Sequence, residues 1–117
     1  LSHGGYLVVA ALVLESSAGA PSFSHYLCTE SSVGGHGDLD AYLAFERQLD
    51  TSGNATPATL FLAGARNGNG AVIVNPLYAQ MSGHVHPGLT LVKADYDTTH
   101  VGADLPAFED ALTRFFA

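Results

Sequence analysis

With 117 residues, 47% hydrophobic and 13% charged, the chain suffices for one domain and is too apolar for a disordered tail. Eleven acidic residues against four basic ones give a net charge of −7. That balance excludes a phosphate-backbone binder and a polybasic membrane contact, which both need clustered Lys and Arg. The single cysteine, Cys28, excludes an internal disulfide, and no apolar run is long enough to cross a bilayer.

The first residue is Leu1 rather than Met, so removal of an upstream segment is expected. Residues 6–14 form one continuous apolar run, compatible with a central strand or a buried helix. Its alanines and the preceding Gly4-Gly5 favour the helix, and it lacks the basic flank of a signal peptide. Residues 24–29 (SHYLCT), 59–63 (TLFLA) and 89–94 (LTLVKA) are short, apolar and bounded by Gly, Pro or Ser, as buried parallel strands are. Between the first two, residues 38–49 carry Leu39, Tyr42, Leu43 and Leu49 at helical spacing.

Asn54-Ala55-Thr56 fits a glycosylation sequon, a weak signal without evidence of secretion. Asn67-Gly68-Asn69-Gly70 lacks the ending of a phosphate loop and reads as a turn. Asn75-Pro76 opens a further helix that ends at Gly83, with Asn as cap and Pro in the first turn. The last helix begins near Asp104, and its apolar stripe is Leu105, Phe108, Leu112, Phe115 and Phe116. The resulting order α-β-α-β-α-β-α predicts an α/β layer of about three parallel strands with flanking helices. So narrow a sheet leaves an edge open and apolar surface uncovered.

Two residues carry the main chemical signal. Leu1-Ser2-His3-Gly4 is four-fifths of G-x-S-x-G, the sharp turn that presents a nucleophilic serine at a strand-to-helix junction, and Gly5 follows it. His100 follows the last predicted strand, where a general base for that serine belongs, and the order Ser then His matches. The bland alternatives are a flexible Gly-rich terminus and a surface histidine beside a helix. His84-x-His86, with His36 and His100, offers nitrogen ligands, but no acidic or Cys partner lies near the pair in sequence, so no metal site and no cofactor is expected. Cys28 sits inside an apolar strand and reads as a small core residue.

Ser2-His3-Gly4-Gly5-Tyr6, residues 23–32 (FSHYLCTESS), residues 59–64 (TLFLAG) and residues 86–116 occur in the order and spacing of one family. The chain resembles serine esterases of the α/β-hydrolase superfamily, especially the siderophore-esterase-like branch. The resemblance covers nearly the whole chain but only the C-terminal half of that family's fold. It implies a partial α/β-hydrolase fold, Ser2 as nucleophile and His100 as general base. Gly4 and Gly5 would belong to the elbow, and His3 would supply an oxyanion-hole N–H. The family expects a triad acid after the strand that ends near Gly64, and no Asp or Glu stands between Asp50 and Asp95. Asn67 or Asn69 would orient the histidine instead, or Asp95 or Asp97 would substitute from beside it. The strand leading into the elbow and the second oxyanion donor would lie in a missing N-terminal half.

The expected function is therefore hydrolysis of carboxylic esters, with a small-molecule ester as substrate and neither nucleic acid nor membrane as partner. The alternative is a non-catalytic hydrolase remnant that pairs with itself or with a missing N-terminal half. A third reading is an unrelated small α/β binding module. A soluble protein is expected, the cytoplasm being favoured over other compartments.

Overall fold

The computed structural model describes residues 1–33 and 38–117. Its elements are α1 (His3–Ala18), β1 (His25–Thr29), α2 (Asp38–Ser52), β2 (Thr59–Asn67), α3 (Asn75–Gly83), β3 (Thr90–Thr99) and α4 (Asp104–Phe115). The expected alternation is the observed one, and the ambiguous run of residues 6–14 is helical. A single π-helical turn, Gly70–Val74, leads into α3, and a 3-10 turn, Val101–Ala103, leads into α4. No helix among the described residues is long and apolar enough to cross a membrane.

The strands form one parallel sheet in the order β1-β2-β3, with His25 opposite Thr59 and Thr59 opposite Thr90. Every crossover passes through a helix, as parallel neighbours require. The side-chain period of two sorts β2 between two cores. Leu60 and Leu62 face α1, α2 and α3, together with Val9, Leu12, Leu49 and Met81. Phe61 and Ala63 face α4, where Ala107 and Ala111 are buried. Because β2 is covered on both faces, residues 60–65 read as an uninterrupted apolar run.

Strands β2 and β3 extend past their expected ends. Each hydrophobic run marks only the part under a helix, and the polar extensions, Arg66 and Asn67 on β2 and residues 95–99 on β3, continue the ladder beyond it. Those extensions carry the chain to the carboxyl end of the sheet, where Asn67 pairs with Thr99.

The expected apolar stripe of α4 does not face the core. Leu105 is 64% exposed, Phe108 50% and Phe116 81%, and only Phe115 of the set packs against the sheet cluster. The small side chains of Ala107 and Ala111 bring α4 close to the sheet, which turns the bulky stripe outward. Leu7 on α1 is 66% exposed as well. The sequon asparagine has a structural role, because its Nδ2 group donates to the carbonyls of Ser16 and Ser17, both at 3.0 Å, closing the end of α1. Attachment of a glycan there would displace those bonds.

The expectation that no acid lies near His84 and His86 is also corrected. Glu46, one of the three buried residues of α2, meets both. Its carboxylate lies 2.8 Å from His84 Nδ1 and 2.5 Å from His86 Nε2, and it accepts a 2.7 Å bond from Gln80. The bond to Glu46 holds the His84 imidazolium above its ordinary range. Sequence spacing hid this contact because 38 residues separate Glu46 from His84. Of the other two imidazoles considered with this pair, His100 lies at another site and His36 lies outside the described residues.

Cys28 is fully buried in the larger core, and burial pushes its thiol up to about 12. A thiol so far from its thiolate form is a poor nucleophile. We expect no reaction with Ellman's reagent at pH 8 in the native protein and one equivalent after unfolding in urea. Rapid native labelling would show that the strand opens.

Candidate active site

Parallel α/β layers collect loops at the carboxyl ends of their strands, and ligands bind there. In this chain that end gathers Ser2, Glu30, the turn after β2 and His100. Ser2 immediately precedes α1 and adopts φ 58°, ψ −124°. Its N–H donates to the Thr29 carbonyl at 3.2 Å, and its own carbonyl accepts from Ser32 N–H at 3.2 Å. The serine is therefore clamped from both sides by the chain leaving β1.

Glu30 follows β1 directly, is completely buried and has φ 50°. Among the described residues, Ser2 and Glu30 are the two non-glycine positions with positive φ. Such geometry costs on the order of 1–3 kcal/mol per residue and persists where surrounding contacts over-determine it. Here the contacts are visible. Glu30 Oε2 accepts from Ala65 N–H at 2.7 Å, and Oε1 accepts from Asn69 N–H at 2.7 Å and from His100 Nδ1 at 2.9 Å. A buried carboxylate is tolerable only when its lone pairs are filled in this way. With Nδ1–H directed to Glu30, Nε2 is the His100 nitrogen left to accept a proton.

The carboxylate that meets His100 is Glu30, which the sequence motifs do not single out. The expected orienting groups lie elsewhere. Asn69 acts through its backbone on Glu30, and its side chain donates to the Ser31 carbonyl at 3.3 Å. Asn67 is exposed at the end of β2. Asp95 pairs with Lys93 at 2.5 Å, and Asp97 lies 3.8 Å from Arg66. The signal available in the sequence is a carboxylate immediately after an apolar strand, Cys28-Thr29-Glu30. It stands after the first strand of this chain, whereas the resemblance directs attention to the loop after the second.

Two glycines fit the site for steric reasons. A Cβ on Gly68 would collide with Glu30 Oε1 and come 3.0 Å from His100 Cα. A Cβ on Gly5 would lie 2.9 Å from the Thr29 carbonyl, where α1 crosses the end of β1. Gly4 faces open space. His3 is exposed at the start of α1, where backbone N–H groups lack helical partners and the dipole favours negative charge. Beside it, a cleft of about 270 Å³ is lined by His3, Tyr6, Ser32, Val33, Asp38 and Ala41.

These contacts separate the glycines by experiment. Gly5→Ala is expected to cost about 1–3 kcal/mol by overpacking against the Thr29 backbone. Gly4→Ala is expected to stabilise α1 by about 0.5–1 kcal/mol, the usual gain in a helix. Urea denaturation of both variants measures the contrast; equal effects would contradict the described approach of α1 to β1.

The chain matches no family model, and no curated protein and no solved structure gives a match to it.

Proposed function

We propose that the protein is a serine hydrolase of carboxylic esters, with Ser2 as nucleophile, His100 as general base and Glu30 as the acid that orients it. The observation that carries this reading is the His100–Glu30 bond at 2.9 Å, formed by the residue next to the one that clamps Ser2. The resemblance of Ser2-His3-Gly4-Gly5 and of the His100 region to α/β-hydrolase esterases supports it. So does the positive φ at Ser2, as expected for a serine held on a sharp turn.

In the first step Ser2 Oγ attacks the ester carbonyl while His100 Nε2 takes its proton. Glu30 stabilises the imidazolium that forms. The negative charge on the carbonyl oxygen falls to the His3 N–H and the amino end of α1. Collapse of this intermediate releases the alcohol, which leaves with the proton from His100. Water then attacks the acyl-serine, with the same histidine as base, and the free acid departs. The cleft lined by His3, Tyr6 and Ser32, chain neighbours of Ser2 or its bonding partners, offers space for a small acyl or alcohol group.

The test is hydrolysis of p-nitrophenyl acetate and butyrate by the purified chain, combined with fluorophosphonate labelling of Ser2. Ser2→Ala and His100→Ala should abolish turnover. Glu30→Gln should lower it by about 10⁴, the loss seen when a triad acid becomes an amide. Hydrolysis indifferent to all three substitutions would sink the reading.

A second reading, a non-catalytic remnant that pairs with a copy of itself, is favoured by the outward apolar stripe of α4. It predicts a dimer in size-exclusion chromatography with light scattering, converted to monomer by Phe108→Glu, together with absence of esterase activity. A monomeric wild type would remove it.

A further inference from the structure

The cluster of Glu46, His84 and His86 has no part in the ester chemistry. His84 and His86 precede β3 and His100 follows it, so the cluster and the proposed active site lie at opposite ends of that strand. Ten residues of strand span about 30 Å. The geometry assigns this cluster a second role: we propose that Glu46, His84 and His86 bind one divalent transition-metal ion, zinc in first place, which ties α2 to the connection between α3 and β3.

Four observations converge on this. The first is donor chemistry. Two imidazole nitrogens and one carboxylate oxygen lie within 4.8 Å of one another, a set that suits zinc better than the oxygen-seeking cations. The second is spacing. Tetrahedral zinc with bonds of about 2.0–2.1 Å sets its ligands about 3.3 Å apart, so an ion replacing the shared protons opens the contacts by roughly 0.5–0.8 Å. The present contacts are 2.8 Å to His84 and 2.5 Å to His86.

The third is the outer shell. Gln80 donates to Glu46 Oε1 at 2.7 Å, and Asp50 lies 3.8 Å from His84 Nε2, the nitrogen turned away from Glu46. Metal sites orient their ligands through such partners. The fourth is access. A cleft of about 200 Å³ is lined by His84 and His86 together with Tyr78, Ser82 and Leu91. It gives an ion a way in and leaves room for a water as fourth ligand.

The three ligands come from α2 and from the segment between α3 and β3, while the neighbouring α3 meets α2 through Gln80, which bonds to Leu43, Glu46 and Arg47. An ion there closes the amino end of the layer, much as Glu30 closes the carboxyl end. Binding to the folded chain alone stabilises it by mass action.

The experiment uses the full chain, stripped with EDTA and dialysed. Zinc affinity is measured by competition with a chromophoric chelator, Co²⁺ loading by visible absorption, and stability by thermal melts. One zinc per chain is expected, with a melting temperature raised by about 5 °C or more at saturating zinc. His84→Ala should weaken binding at least about 100-fold, and Gln80→Ala about 10-fold. His25→Ala, which removes an exposed imidazole remote from the cluster, should leave zinc affinity unchanged. Bound Co²⁺ should show the strong visible band of a four-coordinate ion. Wild-type binding no tighter than that of His84→Ala, equal loss in His25→Ala, or an unchanged melting temperature would overturn the proposal. Should circular dichroism show His84→Ala unfolded, Gln80→Ala and the wild-type Co²⁺ spectrum decide: a weak, six-coordinate spectrum or no saturation rejects the site.

Discussion

The carboxylate of Glu30 is the constraint on which the carboxyl end of this sheet depends. It leaves β1, accepts from Ala65 and Asn69 on either side of the turn after β2, and accepts from His100 after β3. One buried side chain thus pins the exits of all three strands. Its removal would leave two backbone N–H groups and one imidazole N–H without acceptors, each costing about 1–3 kcal/mol where buried. The positive φ at Glu30 and the absence of a side chain at Gly68 both serve this packing. Ser2 enters the same arrangement through Thr29 and Ser32, and its carbonyl also accepts from the Tyr6 N–H of α1, so the strained residue is held from both the chain leaving β1 and the helix it precedes.

Much of the fold is legible in the sequence because it depends on local periodicity. Short apolar runs between Gly and Pro mark the strands, and Asn75-Pro76 marks the start of α3. The three-strand parallel layer follows from the alternation alone. What stays hidden is whatever depends on partners distant in the chain. The polar tails of β2 and β3 look like loop, yet they pair with each other as strand. The stripe on α4 has the spacing of a buried face, but Ala107 and Ala111 make the closer approach to the sheet.

The candidate site divides in the same way. Ser2 and His100 stand beside recognisable turns and can be read singly. Glu30 is 70 residues from His100, and Glu46 is 40 from His86, so neither partnership has a spacing to reveal it. The available clue is a carboxylate placed against the core, directly after an apolar strand for Glu30 and on the inner face of a helix for Glu46, because a buried charge needs a partner. Glu46 lies at helical spacing from Tyr42 and Leu49, both buried, which makes it an outlier on the inner face of α2. The neutral Asn67 and the exposed Asp95 and Asp97 draw attention only because they are near in sequence.

The separation of Glu30 and His100 along the chain also bears on how the site comes into being. No segment of this protein contains the pair: β1 must dock on one side of β2 and β3 on the other before the carboxylate and the imidazole meet. Contacts at such range form late and together, once the cost of closing the intervening loops has been met. The site is thus a property of the finished sheet and is lost with the first strand to detach. Hydrolytic competence, in the proposed function, would report on the integrity of the whole layer and would leave a half-assembled chain chemically silent.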